Sequence, residues 1–189
     1  GDGSYDYLRR ALPNLLITSL EQSRYLRVIT WERMKDILRK MGKADLDVID
    51  RDLGFELCRA EGIEAIVLGS FTKAGDMFAT DVKVLDVQSK RLLNSASSKG
   101  EGVGSILQNQ IDDLSQAISK SIGISDQILR GTQTRISEIA TPSMDAYNYF
   151  LRGREDFDKM YFVEARKFLE KTVELDSTFA VAYLYLAWS

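Results

Sequence analysis

Residues 63–87, IEAIVLGSFTKAGDMFATDVKVLDV, constrain the fold most tightly. They read as two strands joined by a tight turn. Residues 65–71 are a short apolar run carrying Gly69. Gly75 and Asp76 supply the turn, because glycine takes positive φ freely and aspartate tolerates it. On the return, Phe78, Thr80, Val82 and Val84 share one face at the strand period of two, and β-branched residues suit a half-buried pleat. Gln88 and Ser89 then mark a second turn, which predicts a third strand over 90–97.

Helices are predicted on both sides of this sheet. Over 5–22, Leu8, Leu12, Leu15, Leu16 and Leu20 recur at helical spacing. Pro13 leaves two readings open: a helix that begins near Leu12, or one longer helix kinked at the proline. Residues 25–30, YLRVIT, read as a short strand. Thr30 is a good N-cap for a helix over 31–41 that Gly42 ends. A further helix over 46–60 carries Leu46, Ile49, Leu53 and Leu57 on one face, and Gly62 stops it. Gly100 and Gly102 mark a loop, after which Val103, Leu107, Ile111, Leu114, Ile118 and Ile122 form one stripe of a long amphipathic helix. Residues 123–142 read as a connector in which Ile124, Ile128, Leu129 and Ile136 can dock on either side. Pro142 closes it, and Ser143 can cap the helix that follows. The class expected is therefore α/β (α+β): a small mixed sheet flanked by helices over 1–122, a linker over 123–142 and an all-α helix–turn–helix segment over 143–189.

Composition narrows the chemistry. The 189 residues include no histidine and a single cysteine, Cys58. That removes imidazole bases, histidine metal ligands, an internal disulfide and the His-dependent catalytic triads. No enzyme, metal or cofactor is expected. The net charge of −3 gives no nucleic-acid footprint. No apolar run reaches the roughly 20 residues of a transmembrane helix, so membrane attachment would require a span elsewhere. Both ends read as boundaries within a longer protein. Gly1 to Ser4, GDGS, lack the strand and later glycine of a phosphate loop and read as a turn before a helix. Asp45, Asp47, Asp50 and Asp52 read as a solvated helix start, not a calcium loop. Asp81 reads as an outward strand residue and Asp86 as a turn residue. Arg9, Arg10, Arg24, Arg27 and Arg33 read as solvated surface, and Cys58 as a small buried hydrophobe.

From Ala146 onward, AYNYFLRGREDFDKMYFVEARKFLEKTVELDSTFAVAYLYLAWS resembles the tetratricopeptide repeat, a helix–turn–helix unit of roughly 34 residues. Tyr149 falls at the first large position, Gly153 and Ala165 at the small positions of the two helices, and Leu169 at the large residue after Ala165. Thr172 stands where alanine is usual and Ser177 where proline is usual. A second repeat opens near Ala180, with Tyr183, Leu186 and Ala187 in phase. Residues 5 to about 122, through DYLRRALPNLLITSLEQSRYLRVITWERM, Gly69-Ser70 and VKVLDVQSKRLL, resemble the TolB amino-terminal-like domain, related to the flagellar FlgO and curli CsgG domains. The order of the two, and the phrase DAYNYFLRGR at Asp145 to Arg154, are similar to those of bacterial sensor proteins. That family opens with a strand that is absent here, which implies a vacant sheet edge and a dimer or swapped element filling it.

The resemblance implies a non-enzymatic regulatory and protein-interaction module of a larger bacterial signalling or envelope protein, with a peptide or protein partner. It leans to the periplasmic side of a membrane-anchored protein over the cytoplasm. Tyr147, Phe150, Arg154 and Phe157 would line the groove that holds a peptide. Tyr183, Tyr185, Leu186 and Trp188 read as exposed and able to drive self-association at the end of the second repeat. The alternative is a small-ligand sensor that binds a metabolite or nucleotide at the sheet edge near Gly69.

Overall fold

The computed structural model describes residues 5–43, 49–125 and 134–189. Among them are eight α-helices and one three-stranded sheet. Readings that fall on Gly1 to Ser4, on Asp45, Leu46 and Asp47, and on Ile128 and Leu129 lie outside the described residues.

The sheet is a meander of β1 (Ala65–Ala74), β2 (Met77–Asp86) and β3 (Leu92–Glu101). Its class is the one expected, but the described strands are antiparallel throughout rather than mixed. Ala74 pairs with Met77 across Gly75, whose φ of +58° is the left-handed conformation that glycine adopts without strain. Phe78, Thr80, Val82 and Val84 are all buried on one face of β2, as the period of two requires. β3 starts and ends later than the sequence indicates. It runs through Gly100, which pairs with Phe78 as a strand residue and is not part of a loop, and a side chain there would meet Ser105 Cβ at 2.4 Å. The bare backbone at Gly100 lets Ser105 close against the sheet.

Residues 25–30 form no strand: no ladder joins them to the sheet among the described residues. The helices before the sheet are α1 (Leu8–Glu21), α2 (Trp31–Lys40) and α3 (Arg51–Ala60). α1 is one helix with Pro13 inside it. The side chain of Asn14 donates to the Arg10 carbonyl at 2.8 Å within that turn. Thr30 caps α2 by accepting from the Arg33 amide at 3.2 Å, and Asp50 caps α3 by accepting from the Leu53 amide at 2.9 Å.

After β3, a π-helical turn (Ile106–Gln110) leads into α4 (Ile111–Ser121). Ile106, Leu107, Gln110 and Ile111 are all buried across this junction. Ile122, at the end of the expected stripe, is exposed. Gln110 is fully buried, and both its side-chain polar atoms are hydrogen-bonded. Its amide nitrogen donates to the Phe78 carbonyl at 3.1 Å and to Ser105 Oγ at 2.8 Å, and its oxygen accepts from Thr80 Oγ1 at 2.7 Å.

The connector is docked at its described ends. Ile124 and Ile136 are buried, and α5 (Ile136–Ile139) begins where the Ile136 amide donates to Asp112 Oδ1 at 3.0 Å. Then come α6 (Met144–Asp158), α7 (Phe162–Leu175) and α8 (Ala180–Trp188). One core cluster joins Leu8, Leu15, Val82, Ile111 and Ile136 to Phe150, Leu169 and Phe179. Packing is therefore continuous across the boundaries expected at 122 and 143.

Satisfied buried polar groups stabilise modestly, but orphaned ones are costly. Thr80→Val leaves the Gln110 oxygen unpartnered and should destabilise by about 1–3 kcal/mol. Adding Gln110→Met to Thr80→Val should cost less than the sum of the two single changes in urea unfolding.

Candidate interaction surface

The helical hairpin is held by one close approach. A Cβ at Gly153 on α6 would lie 2.8 Å from Leu169 Cγ and 3.2 Å from the Ala165 carbonyl oxygen of α7. Ala165 and Leu169 are fully buried, and so is Thr172, whose hydroxyl donates back to the Phe168 carbonyl at 2.9 Å. That bond explains how threonine is tolerated at a position that packing would give to alanine.

Two of the four residues expected to line a peptide groove, Tyr147 and Phe150, are buried away from solvent, at 4% and 5% exposure, and Arg154 and Phe157 are half-buried. Phe179, just before α8, stacks with Tyr147 at 6.4 Å between ring centroids and lies 4.9 Å from Phe150. Tyr185 meets Phe150 edge-on at 5.7 Å and Phe157 at 5.2 Å, and Phe157 in turn meets Phe162 at 5.3 Å. α8 thus fills the face that helical phase alone leaves open. Burial raises the Tyr147 hydroxyl pKa, only partly offset by Arg154. Arg154 donates to Asn14 Oδ1 at 2.7 Å and stands over the Phe150 ring, so it bridges α6 to α1. Helical phase gives the direction of these side chains, but nothing in their spacing shows that Phe179 and Tyr185 return to cover them.

The residues expected to drive self-association divide. Tyr183 and Trp188 are exposed, at 47% and 61%, whereas Tyr185 and Leu186 are half-buried against the core. Val181 and Leu184 join the exposed set. Apart from the buried Ala182 and the half-buried Tyr185 and Leu186, α8 (AVAYLYLAW) is an uncharged helix turned to solvent. Trp188 touches Tyr185, which touches Phe157, which touches Phe162. The exposed apolar residues of the α6–α7 turn, Met160, Tyr161, Phe162 and Val163, therefore lie at the same end of the hairpin as Trp188. Exposed apolar residues are ordinary when scattered, but a continuous group marks a contact surface.

Ion pairs tie the hairpin to the first helices. Arg10 pairs with Glu155, Lys35 with Asp158 at 3.5 Å, and Arg154 approaches Glu32 at 4.0 Å. Of the arginines read as surface, Arg33 forks onto Glu61 at 2.8 to 3.1 Å and Arg24 lies over the Tyr25 ring. Asp86 accepts from the hydroxyl and amide of Ser89, both at 2.6 Å, which holds its carboxyl below the usual range. Cys58 sits against the Phe55 cluster, where burial pushes its thiol up. Gly69 is exposed on β1, with only the Asp81 carbonyl within reach of a Cβ, at 3.8 Å. Among the described residues, no three Cys, Asp or Glu side chains are placed to hold a metal, and no helix is long and apolar enough to cross a membrane. Comparison with family models, curated proteins and solved structures finds no match to this chain.

Two measurements test this packing. Gly153→Ala should destabilise by about 1–3 kcal/mol in thermal or urea unfolding, because overpacking against Leu169 outweighs the gain in helix propensity. At Glu155, burial alone would raise the carboxyl, but the hydrogen bond from Lys159 and the charge of Arg10 bring it below its ordinary value. A carboxyl lowered by folding stabilises above its unfolded value, about 4.3, and that stability is lost as pH falls through the lower folded value. Solvent screening of a pair this exposed keeps the gain below about 1 kcal/mol. Acid titration of Glu155→Gln should show a correspondingly shallower loss of stability below about pH 4.3 than the parent.

Proposed function

We propose that the chain is a non-enzymatic regulatory and protein-interaction module that holds a protein or peptide partner on the exposed face of α8. The observation that carries this reading is the uncharged, solvent-facing row of Val181, Tyr183, Leu184 and Trp188. Each large apolar side chain left in water forgoes about 1.5–3 kcal/mol of burial. A partner that covers several at once recovers a free energy of the size that stabilises protein complexes. The hairpin formed by α6 and α7, followed by a third helix in the same sense, supports the reading as the start of a stacked helical array. In such arrays every unit buries its face against the next one. The occupant that fits is another apolar helix, from a partner or from a second copy of the chain. The resemblance of the first 122 residues to TolB amino-terminal-like domains supports a regulatory setting.

Light scattering over a concentration series tests the face directly. The parent chain should gain mass with concentration, whereas a Leu184→Glu/Trp188→Glu variant should stay monomeric with an unchanged thermal midpoint. A parent that stays monomeric throughout leaves a separate partner as the occupant, and a variant that associates as well as the parent overturns the reading, because association then does not use this face.

A further inference from the structure

Phe55 of α3 is buried, at 1% exposure, where it packs with Leu85, Val87 and Ile66. Ile66 alternates along β1 with Ala65 and Val67 of the main core, so this cluster lies on the sheet face turned away from α1. Three cations gather at the Phe55 ring. Arg51 and Arg59 stand one turn before and one turn after it on α3, with their guanidinium carbons 5.8 and 6.0 Å from the ring centroid. Lys90, in the connection between β2 and β3, brings its Nζ to 5.3 Å of the same centroid. Its φ of +57° is one that residues with side chains seldom adopt, and Ser89 before it is held by Asp86 through both amide and hydroxyl. Among the described residues, every other ring that meets a cation meets a single one.

A ring face attracts a cation but leaves its charge in place. The acids of α3 and of the β2–β3 connection are engaged elsewhere. Asp50 caps α3, Glu56 takes Lys43 at 2.6 Å, Glu61 takes Arg33 at 2.8 Å, and Asp86 takes Ser89. Asp52 and Glu64 form no ion pair with the cluster. Among the described residues, Arg51, Arg59 and Lys90 have no carboxylate partner, and their side chains donate no hydrogen bond to the protein. All three are exposed. In a chain whose net charge is −3, three uncompensated cations held at one ring are a local reversal of sign.

We propose that this cluster is a binding site for an anion that carries two or more phosphate groups. A lone carboxylate balances one of the three charges, whereas two linked phosphates supply enough charge and enough oxygens for all of them. The two guanidinium forks suit phosphate oxygens, which they can meet through paired N–H donors, and the Lys90 ammonium adds a third point of contact. The Phe55 ring is covered and offers no face for a base to stack on, so recognition stops at the phosphates. The same chemistry is carried by a free oligophosphate and by a phosphorylated lipid headgroup. No residue of α6, α7 or α8 takes part, so the site stands apart from the α8 face and does not depend on what that face binds.

The probe is inorganic pyrophosphate, titrated into the whole chain by calorimetry and by amide NMR, with sodium sulfate at equal ionic strength as the control. Pyrophosphate should bind saturably, raise the thermal midpoint and move the amides of residues 51–59 and 88–91. Added chloride should weaken it. Arg51→Gln, Arg59→Gln and Lys90→Gln should each weaken binding several-fold, Arg51→Lys should do so less, and the triple Gln variant should lose it. Arg152→Gln, which removes a lone cation over the Phe168 ring, should change nothing. Each single variant keeps two cations at Phe55, so the singles remain informative where the triple variant does not fold. Cosedimentation with phosphatidylcholine vesicles that contain phosphatidylinositol bisphosphate separates the sources. Pelleting that pyrophosphate reverses identifies a lipid headgroup, and pyrophosphate binding without pelleting identifies a free phosphate compound. The proposal is overturned if pyrophosphate does not bind saturably or if sulfate binds as well. It is also overturned if the single variants bind pyrophosphate as tightly as the parent, or if the shifted amides lie elsewhere.

Discussion

The rest of the structure depends on α1, which buries residues against both the sheet core and the helical hairpin. Leu8, Ala11, Leu12, Leu15, Leu16 and Leu20 are all buried, and the buried polar residues Asn14 and Ser19 among them are hydrogen-bonded. Ser19 donates to Ser115 of α4 at 2.9 Å, and Asn14 accepts from Arg154 of α6 while donating to its own helix. One helix therefore serves as floor for the sheet and as back wall for the helical hairpin. This is why a single cluster runs from Val82 to Phe179, and why the connector between the two parts is docked through Ile124 and Ile136. Coupling between the parts, where it operates, has a physical path through α1 side chains that touch both.

What the sequence made legible was whatever is decided by neighbours along the chain. The period of two in Phe78, Thr80, Val82 and Val84, with Gly75 between the strands, is a local pattern, and the sheet follows it residue for residue. The caps at Thr30 and Ser143 are local too: each oxygen reaches an amide three residues on. Asp50 caps α3 in the same way, although the pattern read from the sequence places it inside a helix over 46–60. Residues 25–30 have the same alternation, but a strand is made by its partner, and alternation alone does not supply one. Gln110 was illegible for a similar reason. A glutamine within an apolar stripe reads as an exception until Thr80 and Phe78, distant in sequence, and the nearby Ser105 are seen to bond both its polar atoms.

The aromatic residues of α6 show the same limit at the candidate surface. Their phase on the helix places Tyr147, Phe150, Arg154 and Phe157 on one side, and they do share a side. What that side faces is set by Phe179 and Tyr185, which the Asp176 to Phe179 turn brings back over them. The cover moves the unsatisfied surface outward by one layer, from α6 to the far side of α8. Covering one helix face with another helix always exposes a new face, so an array of this kind ends only where a polar helix or a partner ends it.

The α8 face offers side chains and no backbone hydrogen-bonding groups, so its selectivity rests on shape and on the exclusion of charge. Any apolar helix that keeps charge out of the contact meets those two demands. Discrimination between partners must therefore come from charged residues around the face rather than from the apolar area itself.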